Sequence, residues 1–244
     1  MTPYSERQGQ PGRRWFVRAG LTGAAAVAAG AVCGSPVVPA PVSSGPNRAR
    51  PASPTSAWQA LAAGNQRWCT LHERHPDEGS AVRRTVVTGQ HPFAVVLGCV
   101  DSRVPPELVF DQGLGDLLSV RSAGSVLDEA VLASVTYGVL ELGIPLIVVL
   151  GHQSCGAVTA AVRADGSGDR LPGHMQYLAD RIRPAIDHRL RGADRVDAAI
   201  SANVLLVRAR LAAEPALASR IGAGALSVVG ARYELTTQRV RTLG

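Results

Sequence analysis

The chain contains no lysine, which excludes a lysine nucleophile or Schiff base at the outset. Aromatic residues make up only 4% of its 244 residues. The core must therefore be mostly Val, Leu, Ala and Ile, and the 46% hydrophobic fraction suffices for one domain of ordinary size plus a leader. The formal charge is +6, but residues 1–40 carry Arg7, Arg13, Arg14 and Arg18 against Glu6 alone, so the remainder keeps about +3. That weak bias, without a basic stripe interleaved with aromatics, argues against a nucleic-acid partner. Cysteine is scarce as well. Of the four, Cys33 falls in the leader, and Cys69, Cys99 and Cys155 cannot complete a disulfide framework. Such leftover thiols point to metal ligation or a reactive thiol.

The first 40 residues read as an export signal. Arg13 and Arg14 precede an apolar, Ala/Gly-rich run from Ala19 to Val32, the pattern of a twin-arginine signal. The run is short and weakly hydrophobic for a spanning helix, which needs about 20 strongly apolar residues. Cys33 after Gly30-Ala31-Val32 is a poor match to a lipoprotein site, so membrane attachment is a secondary expectation. Residues 41–55 are rich in Pro, Ser and Ala without periodicity and read as a flexible linker. Residues 56–244 are then the folded domain, exported to the periplasm or beyond.

Within that domain, apolar spacing predicts helices over 57–68, 126–142, 155–163, 175–190 and 194–213. Residues 164–173 read as a Gly-rich polar loop. Short apolar runs at 93–98, 116–120 and 145–150, with later ones at 225–235 and 237–243, read as strands. Strands alternating with helices indicate an α/β domain with a mostly parallel central sheet flanked by helices.

Two strands end alike. Ala94-Val95-Val96-Leu97-Gly98 runs into Cys99, and Ile147-Val148-Val149-Leu150-Gly151 runs into His152. Ligand sites in open α/β sheets lie beyond the carboxyl ends of strands, and the glycines are expected to let the backbone turn there. Cys155, three residues past His152 at a helix start, can reach the same ion. Two thiolates and one imidazole suit tetrahedral zinc, and three protein ligands leave a fourth position open for water. Bound zinc lowers the pKa of that water from about 16 toward 7. Asp101 and Arg103 follow Cys99 at alternate positions and so share one face of an extended segment. The guanidinium would hold the carboxylate ionised and oriented. If the pair breaks, Asp101 becomes a fourth zinc ligand and closes the site.

These motifs resemble the β-class carbonic anhydrases. The pattern C-x-D-S-R stands at Cys99–Arg103 and H-x-x-C-G at His152–Gly156, and the resemblance extends over about residues 56–240. Gly64-Asn65-Gln66-Arg67-Trp68, Gly89-Gln90-His91-Pro92, Leu171-Pro172-Gly173-His174 and Val229-Gly230-Ala231-Arg232-Tyr233 resemble further family segments. The resemblance implies that Cys99, His152 and Cys155 bind Zn2+ and that Asp101 with Arg103 forms the catalytic dyad. It implies that Gln90 contacts substrate, that Leu118, Ala123 and Tyr137 line an apolar CO2 pocket, and that Gly156 presents its backbone beside the metal. It further implies a homodimer or homotetramer with active sites near the subunit interface. Leu118, often aromatic in plant-like members, and Ser125, often asparagine, depart from the pattern.

The expected reaction is reversible hydration of CO2 to bicarbonate and a proton by zinc-bound hydroxide. Rival readings keep the same site but hydrolyse CS2 or COS, or bind zinc without catalysis, or use Cys99 and Cys155 as a redox pair. An oriented carboxylate has no purpose in zinc storage. Cys69 reads as a buried small residue, and His72, His75 and His188 as solvated.

Overall fold

A computed structural model of the protein describes residues 50–244. The twin-arginine segment, Cys33 and most of the linker fall outside these residues. The order of elements follows the alternation in the sequence. Helix α1 (Pro54–Cys69) is followed by α2 (Ser80–Thr85), strand β1 (Ala94–Gly98), α3 (Pro106–Val109), β2 (Leu117–Arg121) and α4 (Glu129–Leu140). Then come β3 (Leu146–His152), α5 (Gly156–Ser167), α6 (Met175–Ile182), α7 (Gly192–Ala212), α8 (Pro215–Gly222), β4 (Ser227–Tyr233) and β5 (Val240–Leu243).

The five strands lie in the order β2-β1-β3-β4-β5. The first four are parallel, and β5 closes the edge antiparallel to β4. Every residue of β1 and β3 is buried, as central parallel strands covered on both faces must be. Successive side chains point to opposite faces. Val95 and Leu97 join Ile147 and Val149 in a core beneath α4, α7 and α8. Ala94 and Val96 join Leu146, Val148 and Leu150 in a second core with Ala57 and Leu61 of α1 and Phe110. The first core is wholly aliphatic, whereas the second gathers Phe93, Phe110 and Tyr233 as well, and burying each Val or Leu contributes about 1.5–3 kcal/mol.

Helix ends differ from the sequence reading at identifiable residues. Helix α1 starts at Pro54 because Ser53 and Ser56 form a capping box. Just before it, Arg50 donates to the carbonyls of His91 and Gly115 at 2.6 Å each. Helix α4 starts three residues later than expected, where the Asp128 side chain caps the amide of Val131. The helix expected over 175–190 stops at Ile182, since Pro184 has no N–H to continue it. Helix α5 persists to Ser167, so residues 164–167 are helical and the loop begins only at the left-handed Gly168. No helix among the described residues is long and apolar enough to cross a membrane.

Candidate active site

The site assembles where β1 and β3 end side by side. Gly98 pairs with Leu150 in the register of these strands, so the residues just beyond them emerge together. Strand β1 does end at Gly98, but Gly151 is not the turn expected of it. Strand β3 continues through Gly151 to His152. A Cβ at Gly151 would stand 2.4 Å from Val204 Cγ2, so glycine serves there to let α7 pack against the strand.

Cys99 and Cys155 are both buried, with their Sγ atoms 3.9 Å apart. A ring nitrogen of fully buried His152 joins them, all three ligand atoms lying within 4.8 Å of one another. Among the described residues this is the one such metal-competent group. Two independent observations fit zinc. Tetrahedral Zn–S bonds of about 2.3 Å place two sulfurs about 3.8 Å apart, as found. His152 Nδ1 lies 2.9 Å from the carbonyl of Gln153, so that nitrogen carries the proton. Its Nε2 is buried without a hydrogen-bond partner, a costly arrangement unless the lone pair has a ligand.

The electrostatics agree. The Cys155 thiol beside Cys99 stabilises the Cys99 thiolate and holds its pKa to about 4 against burial, with help from His152 and the Gly124 amide. The Cys99 charge and burial push Cys155 the other way. The two sulfurs thus share one proton, which a divalent cation would displace. Burial works to lower the His152 pKa, but the neighbouring Cys99 sulfur, the Gln153 carbonyl and the Asp101 charge outweigh it and raise it.

Asp101 and Arg103 form the expected pair. Arg103 Nε donates to Asp101 Oδ1 at 2.9 Å, Nη2 to Oδ2 at 2.7 Å, and the Arg103 amide to Oδ1 at 3.0 Å. This clamp holds the Asp101 carboxyl well below the usual carboxylate range, despite partial burial. Asp101 Oδ2 stands 3.9 Å from His152 Nε2, so the carboxylate borders the ligand cluster while both its oxygens remain on Arg103.

The other predicted residues divide. Gly156 opens α5 directly after Cys155. Ala123 sits in a short 3-10 turn whose next residue, Gly124, donates its amide to Cys99 Sγ at 3.3 Å. Leu118 lies elsewhere, paired with Val95 in mid-strand and therefore about 10 Å back from the end of β1. It faces α4 at Gly138, beside Tyr137, which is 50% exposed and not part of the core. Gln90 is exposed in the loop before β1. Cys69 is only half-buried, its thiol donating to the Gln238 carbonyl at 3.0 Å.

Arg121, absent from the sequence reading, ends β2 and reaches across to the ligand loop. Its Nε donates to the Cys99 carbonyl at 2.8 Å and its Nη2 to the Asp101 carbonyl at 2.6 Å. One planar fork therefore spans the backbone between Cys99 and Asp101. Only the strand order, which sets β2 beside β1, reveals this.

Comparison with known proteins agrees with this geometry. The profile of the family described as carbonic anhydrase matches residues 94–240. A curated carbonic anhydrase 2 of Mycobacterium tuberculosis is 43% identical over 189 residues, covering 77% of this chain and 91% of that protein. A carbonic anhydrase of Mycolicibacterium smegmatis is 43% identical over 190 residues, covering 77% and 92%. Among solved structures, the β-carbonic anhydrase CcaA superposes with a TM-score of 0.61 at 28% identity, covering 77% of this chain and 87% of that one. The strand-end ligand cluster, the profile and these relatives converge, and the chain belongs to the zinc-dependent carbonic anhydrases of the β class, which interconvert CO2 and bicarbonate.

Proposed function

We propose that, in this hydration of CO2, Cys99, His152 and Cys155 hold the zinc and the Asp101–Arg103 pair orients the nucleophile. The observation that carries this assignment is the convergence of three buried ligand atoms within 4.8 Å, with the Asp101 carboxylate alongside. When bound, zinc supplies the Lewis acidity that makes a coordinated water a nucleophile near neutral pH. The chain's residues do the rest. His152 is fixed in one tautomer by the Gln153 carbonyl, leaving Nε2 free to ligate. Asp101 stays ionised because Arg103 occupies both its oxygens. An ionised Asp101 accepts a hydrogen bond from the attacking group and aims its lone pair at the carbon of CO2. If Arg103 releases it, the same carboxylate is close enough to the cluster to become a fourth ligand and shut the site.

Leu118 and Tyr137 lie away from their own chain's cluster, and Tyr137 is exposed. We assign them, with Gln90, to a substrate pocket completed across a subunit interface, and Gly156 and Ala123 to the near wall. β-Carbonic anhydrases of Sordaria macrospora are described as tetrameric, and their structure shares the fold with a TM-score of 0.62. A homodimer or homotetramer is accordingly the proposed working form. Export by the twin-arginine route rests on Arg13, Arg14 and the apolar run that follows. Fractionating cells that carry an Arg13→Lys/Arg14→Lys variant tests it, and unchanged export of that variant would refute the route.

The direct test of the assignment is stopped-flow CO2 hydration with metal analysis on the zinc-loaded oligomer at mildly alkaline pH. Saturable turnover removed by chelation is expected. Zinc retained without turnover would instead favour CS2 or COS as substrate, or a non-catalytic zinc protein.

A further inference from the structure

The sulfur of Cys99 is engaged from a second direction. Residues 122–126 form a turn anchored at both ends of the site. The Ser122 amide donates to Gly98 O at 3.1 Å, and Ser125 Oγ donates to Leu150 O at 3.4 Å. These acceptors are the last residue of β1 and a late residue of β3. Within the turn, Gly124 has φ 66° and Ser125 φ 53°. The left-handed region costs little for glycine but about 1–2 kcal/mol for another residue. A Cβ at Gly124 would also meet Ile182 Cδ1 at 2.9 Å. The strained turn delivers one polar result at the site: the Gly124 N–H points at Cys99 Sγ, 3.3 Å away.

Between those two ends, the Gly124 peptide is held by a buried amide from another part of the chain. Asn203, in the middle of α7 and 3% exposed, donates from Nδ2 to Gly124 O at 2.8 Å. Helix α7 is seated against β3 so closely that Val204, the next residue, requires Gly151 opposite it. The helix therefore locates Asn203 rigidly relative to the strand that carries His152. A buried amide in a helix interior is costly unless it is hydrogen-bonded, and the Gly124 carbonyl accepts from this one.

We propose that Asn203 is a positioning residue for the metal site. Through Gly124 it holds an N–H on the Cys99 sulfur and withdraws charge from that thiolate. This rests on Cys99 being a zinc ligand. Two thiolates donate strongly to a metal and blunt its acidity. A hydrogen bond to one of them reduces that donation, as outer-sphere partners generally tune a ligand. Without Asn203 the Gly124 peptide, though flanked by the anchors at Ser122 and Ser125, loses its own hold, the N–H leaves the sulfur, and Cys99 becomes more electron-rich.

The test uses the full oligomer loaded with cobalt(II), whose thiolate charge-transfer band reports the charge on the ligating sulfur. Asn203→Leu, similar in size but without the donor, is expected to keep stoichiometric metal and move this band to longer wavelength. Its kcat for CO2 hydration by the zinc form is expected to fall about tenfold with KM unchanged. Asn203→Met, which fills similar space and has no donor in any protonation state, should behave alike. A folded Asn203→Leu protein with the wild-type band overturns the proposal, even if its melting temperature falls. Absence of the band in the wild-type protein would refute ligation by cysteine itself and take this proposal with it. If neither variant folds, the wild-type protein loaded with cadmium-113 decides the matter. Scalar coupling between the metal and the Gly124 amide proton is expected through the N–H···S bond, and an uncoupled Gly124 proton overturns the proposal.

Discussion

The chain builds the same small device twice. Asp101-Ser102-Arg103 and Asp187-His188-Arg189 share the spacing Asp-x-Arg, and both fold into the same clamp. In the first, the Arg103 amide, Nε and Nη2 donate at 3.0, 2.9 and 2.7 Å. In the second, the corresponding Arg189 atoms donate at 2.9, 3.0 and 2.7 Å. Both carboxyls are held below the usual range by their arginines, Asp187 to about 2. Their surroundings differ. The Asp187 side chain is 32% exposed and its arginine faces solvent, whereas the Asp101 side chain is 16% exposed and lies 3.9 Å from a buried imidazole nitrogen that has no hydrogen-bond partner. The clamp is a local property of three residues and carries no function by itself. Function comes from what the sheet places next to it.

Breaking the ligand cluster should have the largest effect, because it removes what distinguishes the two clamps. Cys155→Ala is expected to lose zinc and CO2 hydration together, as read by metal analysis and stopped flow. Zinc retained stoichiometrically would remove Cys155 from the ligand set. Next come the paired carboxylates. Asp101→Asn should keep zinc and lose about 10²–10⁴-fold in kcat, whereas Asp187→Asn should turn over like the parent. Equal activities in these two variants would erase the contrast. Arg121→Gln removes the fork on the Cys99 and Asp101 carbonyls and should lower kcat by about 10- to 100-fold with zinc still bound. Arg121→Lys, able to serve one carbonyl, should fall between, and an unaffected kcat per zinc in both would reduce Arg121 to a structural role.

The smallest effect belongs to the exposed clamp. A carboxyl whose folded pKa is depressed stabilises the fold above its unfolded pKa, near 4, and that contribution disappears as pH falls toward about 2. The melting temperature of Asp187→Asn should therefore lie slightly below the parent's at neutral pH, with the gap closing across that acid window. An exposed pair of this kind contributes little. A gap that widened with acid would contradict the assigned direction.

Much of this was legible because it is local. The unbroken apolar runs before Cys99 and His152 can only be central strands, and their shared Gly-ligand ending marks one edge of the sheet. Pro184 also announced the end of α6, but the apolar stripe through 175–190 obscured it. What could not be read depends on which elements become neighbours. Arg121 matters because β2 pairs with β1, and Asn203 because α7 crosses β3. Gly151 reads as a hinge in sequence and proves to be a seat for Val204. Leu118 and Tyr137 gather at α4, away from their own chain's ligands, a placement that motif spacing does not encode.

The ligands' separation along the chain bears on when the site can exist. The Asp101–Arg103 clamp closes across two residues, but Cys99 and Cys155 are 56 residues apart and meet only after β1 and β3 have paired through α4. Parallel pairing across a crossover is a slow, long-range closure that nearby helices do not require. Metal uptake during refolding should accordingly trail the recovery of helical signal. Zinc becomes a reporter of finished topology: a chain stalled before the crossover closes has its clamp in place and nowhere to keep the ion.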